Sequence, residues 1–223
     1  GNTGSVTNLK NLVNNSGVVA ADVTGVGTAR ERLAAASYGT GLAIFAHGTT
    51  GSATAISNLV NTSGVIASDV SGVGTARFGL AASSFGGDKA IFGYGRPGSG
   101  NSSLTNLVSN VGVLSSDVTG VGTARRDIAA ASYGGDKGVF GYGISGSSSN
   151  VTNKVSNVGV VATDTTGVGS ARYYLAATGY GGDKAIFGFG STGSVTGITN
   201  LVNNSGLVAA DVSAVGTARE KPA

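Results

Sequence analysis

Cysteine, methionine and tryptophan are all missing from this chain of 223 residues; proline occurs twice and histidine once. Without cysteine there is no disulfide framework, no thiol nucleophile and no thiolate-bound metal. The single histidine, His47, excludes any site built on two imidazoles, and only the unit that holds it could carry a Ser-His-Asp triad. Charged residues make up 11% of the chain and aromatics 6%. Most of the 40% hydrophobic share is Ala and Val, so a core has to be assembled from small side chains. No apolar run approaches the ~18 residues of a spanning helix. The opening Gly1-Asn2-Thr3-Gly4-Ser5 is polar and does not read as a signal peptide. The 14 Lys and Arg exceed the 11 Asp and Glu, but they are scattered, and a nucleic-acid footprint needs clustering. Neither nucleic acid nor membrane is expected as a partner. No cofactor is expected either. Gly25-Val26-Gly27 lacks the third glycine and following helix of a dinucleotide loop, and no phosphate-binding loop motif occurs.

Glycine is abundant, at 40 residues, without the every-third pattern of collagen. A mean hydropathy of +0.20 is too high for a disordered chain. The chain is dominated by a repeat. Asp22-Val23-Thr24-Gly25-Val26-Gly27-Thr28-Ala29-Arg30 returns at 69–77, 117–125, 164–172 and 211–219, at intervals of 47, 48, 47 and 47 residues. A fixed period of this size marks a repeat architecture whose units lean on their neighbours.

Each unit divides into short β-type runs. Asn11-Leu12-Val13 and Val18-Val19-Ala20 flank Asn14-Asn15-Ser16-Gly17, a good hairpin turn because Asn and Gly tolerate positive φ. The same hairpin recurs at 58–67, 106–114, 153–162 and 200–209. After each Asp-to-Arg stretch comes an alanine-rich run such as Leu33-Ala34-Ala35-Ala36-Ser37-Tyr38, read as a buried inner strand because glycine follows too soon for a helix. A second apolar strand follows, Leu42-Ala43-Ile44-Phe45 in the first unit. In three units Gly-Gly-Asp-Lys joins the two strands, at 86–89, 134–137 and 181–184. Four short strands in about 47 residues is the pattern of a propeller blade.

The stretch Arg125-Arg126-Asp127-Ile128-Ala129-Ala130-Ala131-Ser132-Tyr133-Gly134-Gly135-Asp136-Lys137-Gly138-Val139-Phe140-Gly141-Tyr142-Gly143 resembles a kelch blade. It has the entry arginine, the small-residue first strand, the glycine turn and a second apolar strand. The terminal glycine pair is split around an aromatic residue, and the tryptophan late in a kelch blade is missing from every unit. The repeats are also similar to glycine-rich arrays of bacteriophage virion proteins. Kelch likeness implies a binding platform; phage likeness implies a virion-surface or tail part. The expectation is an all-β propeller forming a single repeat domain. It would have five positions: a half-blade at 5–29 and blades at 30–76, 77–124, 125–171 and 172–218. A β-solenoid or trimeric fibre is the alternative. The unpaired half-blade leads to an expectation of self-association.

The pairs Asp22/Arg30, Asp69/Arg77, Asp117/Arg125, Asp164/Arg172 and Asp211/Arg219 read either as a ring of ligand-binding charges or as a structural clamp, and recurrence in every unit favours the clamp. Tyr38, Phe85, Tyr133 and Tyr180 recur at the first inner turn; Tyr94, Tyr142 and Phe189 recur after the second strand. They read as sugar-stacking platforms or as packing between blades. His47 stands where Tyr94, Tyr142 and Phe189 stand and reads as an aromatic position that drifted. Near-identity of units, such as 11–17 with 200–206, points to recent duplication or to an engineered repeat protein. The expected function is a non-enzymatic structural or interaction scaffold, a virion or tail component by resemblance, with protein or glycan as ligand. A multivalent carbohydrate-binding, lectin-like protein is the alternative.

Overall fold

A computed structural model describes residues 3–221. Its strands form four antiparallel sheets of three strands each. The first holds β1 (Ala34–Tyr38), β2 (Leu42–Ala46) and β3 (Ser57–Val60). The second holds β4 (Ala81–Phe85), β5 (Lys89–Gly93) and β6 (Thr105–Val108). The third holds β7 (Ala129–Tyr133), β8 (Lys137–Gly141) and β9 (Thr152–Val155). The fourth holds β10 (Ala176–Tyr180), β11 (Lys184–Gly188) and β12 (Thr199–Val202). In each sheet the alanine-rich strand pairs with the apolar one across the glycine turn, and the third strand pairs on the far side, as Ile91↔Leu107 in the second.

The fourth strand expected of each unit is reduced to two bridges, Val60↔Ile66 and Ser57↔Val70 in the first sheet. Their registers differ by one residue, so the returning segment carries a β-bulge. Asn58 fills it by donating its side-chain amide to the Ala67 carbonyl and to Asp69. The same bulge and asparagine recur at Asn106, Asn153 and Asn200, and at Asn11 in the hairpin that precedes the first sheet. The hairpin tips are closed as their sequence predicts: Asn14, Asn61 and Asn203 accept backbone N–H groups two and four residues on.

The sheets pack in chain order: β1 on β4, β4 on β7, β7 on β10. Three hydrophobic clusters fill the three spaces between sheets. Along each apolar strand, side chains alternate between the two faces. Phe140 turns back towards the preceding sheet, edge-on to Tyr94 and over Gly93, where a Cβ would collide with the ring. Val139 turns to the other face and is fully buried with Tyr142 and Phe187 in the next cluster. Main-chain bonds also run along the stack. Gly79 N–H donates to the Arg32 carbonyl, Asp127 to Gly79, Tyr174 to Asp127 and Lys221 to Tyr174. The residues of this column have φ between 51° and 62°.

The closed five-position propeller expected above is corrected by this arrangement. No strand of the first sheet is among those packed on the last. The outward faces are open: Phe45 and Ile186 are only partly buried, whereas Phe92, Phe140, Ile91 and Val139 are fully buried. A closed ring would have covered both. The molecule is an open, solenoid-like stack, the alternative architecture, in which sheets pack on their neighbours in chain order and one ion pair, Arg32–Asp127, reaches from the first unit to the third.

Candidate functional site

The densest polar arrangement lies between repeats, and it joins residues of consecutive units. The loop after one hairpin delivers Thr28, whose N–H and hydroxyl both donate to Asp69 of the next hairpin. Asn58 donates to the same carboxylate, while its amide oxygen accepts from Arg30. Thr75 with Asp117, Thr123 with Asp164 and Ser170 with Asp211 repeat the arrangement. The ion pairs follow it: Arg30–Asp69 at 3.8 Å, Arg77–Asp117 at 3.3 Å and Arg125–Asp164 at 3.7 Å. Each of these arginines therefore faces the aspartate of the following repeat rather than the one eight residues before it. Glycine is required beside each carboxylate, because a Cβ on Gly27, Gly74, Gly122 or Gly169 would strike both the Asp and the Asn, and φ there is positive.

The electrostatics match this geometry. Partial burial would by itself raise the carboxyl pKa of Asp69, Asp117, Asp164 and Asp211. Donation from Thr or Ser and from Asn, with the nearby arginine charge, outweighs it and holds all four below the usual carboxylate range. Arg77, Arg125 and Arg172 have no exposed surface. Burial pulls the Arg77 pKa down against the raising effect of Asp117. The guanidinium groups of Arg125 and Arg172 also lie over the Tyr94 and Tyr142 rings, at 4.8 and 4.3 Å.

The aromatic candidates are mostly covered. Tyr38, Phe85, Tyr133, Tyr94 and Tyr142 are between 0% and 4% exposed, and Tyr180, in the last sheet, is 41% exposed. The rings of Tyr38, Phe85 and Tyr133 lie against Gly112, Gly159 and Gly206 of the next sheet's outer hairpin. A ring so covered has no free face for a sugar. Tyr94, Tyr142, Phe189 and His47 all take φ of 63–66°, so the split glycine pair is a left-handed turn that tucks its aromatic residue inward. The Tyr94 and Tyr142 hydroxyls donate to the carbonyls of Val121 and Val168. Burial raises the Tyr94 hydroxyl to about 12.

His47 shares this position, is fully buried, and has no hydrogen-bond partner on either ring nitrogen among the described residues. Burial first, then the Arg77 charge, pushes its pKa down to about 3. Among the described residues no group of three or more His, Cys, Asp or Glu stands within reach of one metal ion, and no helix is long and apolar enough to cross a membrane.

Two clefts sit at the ends of the stack. One, of about 230 Å³, opens beside the first hairpin against Leu33, Phe45 and Arg30. The other, of about 310 Å³, lies at Tyr180 with Ser132 and Lys184. The residues that sequence reasoning passed over are the bulge asparagines and the threonines of the clamp. Their signal was present, since an Asn stands 11 residues before every repeated Asp. A further buried group, Asp127 between Arg32 and Arg126, had no such signal because it occurs in one unit alone. No protein-family model matches the chain, and no curated protein shows significant similarity to it. It is an all-β chain of four similar three-stranded antiparallel sheets, and the kelch and phage likenesses rest on the quoted residues alone.

Proposed function

We propose that the chain is a non-enzymatic structural scaffold: a stiff stack of repeats whose sides serve as an interaction surface. The observation that carries this reading is the clamp. At four successive junctions the aspartate receives several donors from neighbouring residues. The carboxylates that could have met a ligand are occupied in joining repeats. The four clamps, with the main-chain bonds from Gly79 to Arg32, Asp127 to Gly79 and Tyr174 to Asp127, resist bending and shear.

The sides of the stack support the second half of the reading. Val18, Val65, Val113, Val160 and Leu207 occupy one repeated position on the outer hairpins and are 54–64% exposed. They form a row of apolar side chains with one rung per repeat. Exposed apolar side chains repeated in this way support the reading of an interaction surface. A place in a phage tail or virion surface remains the setting that the wording of the repeats implies.

The test is a glycan array probed with the intact chain and with Tyr180→Ala. The scaffold reading expects no saturable glycan binding by either. Saturable binding by the parent chain that is lost in Tyr180→Ala would replace the scaffold with a lectin acting through its one exposed candidate ring.

A further inference from the structure

The two ends of the stack are complementary halves of the interface that holds its interior together, and we propose that the 223-residue chain binds a second copy of itself head to tail. This goes beyond the scaffold reading, because end-to-end association is independent of what the sides of the stack bind.

The C-terminal end presents the donor half of a clamp. Thr217 and Arg219 stand at the positions of Thr28 and Arg30. Among the described residues nothing receives the Thr217 N–H or hydroxyl. The Arg219 guanidinium lies 3.7 Å from the centre of the Phe189 ring, as Arg125 and Arg172 lie over Tyr94 and Tyr142. It is therefore already posed as in the interior. Gly216 makes the vacancy explicit. At Gly27, Gly74, Gly122 and Gly169 the Asp and Asn of the next repeat crowd the glycine, whereas at Gly216 nothing lies within 4 Å.

The N-terminal end presents the acceptor half. Asn11 donates to Asp22 as Asn58 does to Asp69. Among the described residues, Asp22 receives no Thr or Arg donor. The apolar contacts match as well. In the interior a ring covers the hairpin glycine of the next sheet; at the C-terminal end Tyr180 covers none, and at the N-terminal end Gly17 has nothing within 4 Å. Placing the first hairpin of one copy on the last hairpin of another mates Thr217 and Arg219 with Asp22 and Asn11, and Tyr180 with Gly17.

The charges agree, cation against anion. The contact is heterologous, so each copy keeps one free end of each kind and the association is open. The first hairpin brings no inner strand pair with it, so the junction lacks the sheet-on-sheet apolar packing of the interior and is reversible on dilution.

The experiment is sedimentation velocity over a concentration series with the intact chain, Asp22→Ala, Arg219→Ala and an equimolar mixture of the two variants. Circular dichroism checks folding. The intact chain is expected to pass beyond twice its 21.5 kDa mass as concentration rises. Each variant, having one dead end, is expected to remain a monomer. Their mixture joins one live end of each kind and is expected to stop at a dimer. A monomeric intact chain at every concentration overturns the proposal, as does association that both variants retain, or a mixture that stays monomeric. If either variant fails to fold, Leu201→Ser, on the exposed C-terminal face, takes the place of Arg219→Ala, and Gly17→Asn takes the place of Asp22→Ala.

Discussion

Strands β1 and β7 have the same five residues, Ala-Ala-Ala-Ser-Tyr, and differ in what surrounds them. In β7 all three residues of one face are buried and the other two partly so; in β1 only the tyrosine is buried, and Ala35 and Ser37 are exposed. Burial in this molecule is conferred by the next repeat rather than by the strand's own composition. The interior sheets are covered on both faces and the end sheets on one, so the same substitution should cost different amounts at the two places.

The largest contrast is expected at the phenylalanine of the second strand. Phe140→Ala empties a fully buried site edge-on to Tyr94 and should cost about 3–5 kcal/mol. Phe45→Ala, at the open face, should cost about 1–2 kcal/mol. Urea midpoints of the two variants check this, and equal losses would mean that the first sheet's outer face is covered in solution.

The clamp sharpens the comparison. Asp164→Ala strips Thr123, Asn153 and the fully buried Arg125 of a shared acceptor. Because Asp164 is itself about a third exposed, the loss is expected at about 2–3 kcal/mol. Asp22→Ala, which removes the same residue type from an end, should stay within about 0.5 kcal/mol. Thermal melts of both variants at one low protein concentration would expose an error if the order were reversed.

The smallest contrast is a pH dependence that rests on the first unit, which alone holds a histidine. His47 is neutral when folded, with its pKa pushed down to about 3 from the 6.5 of an unhindered imidazole. Below the unfolded value the unfolded chain takes up a proton that the folded one refuses. Stability therefore falls as pH drops from about 6.5 towards 3, by about 2 kcal/mol at pH 5. The clamp aspartates contribute little between pH 7 and pH 5. Their depressed pKa values stabilise the fold above the ordinary carboxylate value, and that stability is lost only as pH falls through and below it. His47→Phe should flatten the change in Tm between pH 7 and pH 5, and an unchanged slope would show that His47 is reached by water.

Much of the unit was legible in the sequence. The short apolar run in Lys89-Ala90-Ile91-Phe92, the alanine-rich run before it and the turn in Gly86-Gly87-Asp88-Lys89 announced β4, β5 and their hairpin. The partner of Arg77 was not legible. In a periodic chain an aspartate eight residues before and one forty residues after recur with the same regularity, and only the packing distinguishes Asp69 from Asp117. Closure was hidden for a related reason. Whether a stack becomes a ring depends on a small rotation from one sheet to the next, and no residue pattern within a unit encodes it. Tyr180 shows the limit most plainly, since it matches Tyr133 in sequence and differs tenfold in exposure, 41% against 4%.

The bulge filled by Asn58, Asn106, Asn153 and Asn200 breaks up the outer edge of a valine-rich chain. A regular outer strand would offer an unbroken row of main-chain donors and acceptors to any passing chain. The extra residue interrupts that row once in every repeat, and the asparagine amide takes the carbonyl that the interruption leaves over. The same asparagine that interrupts the edge also donates to the clamp aspartate, so one side chain guards the side of the stack and joins its repeats lengthwise.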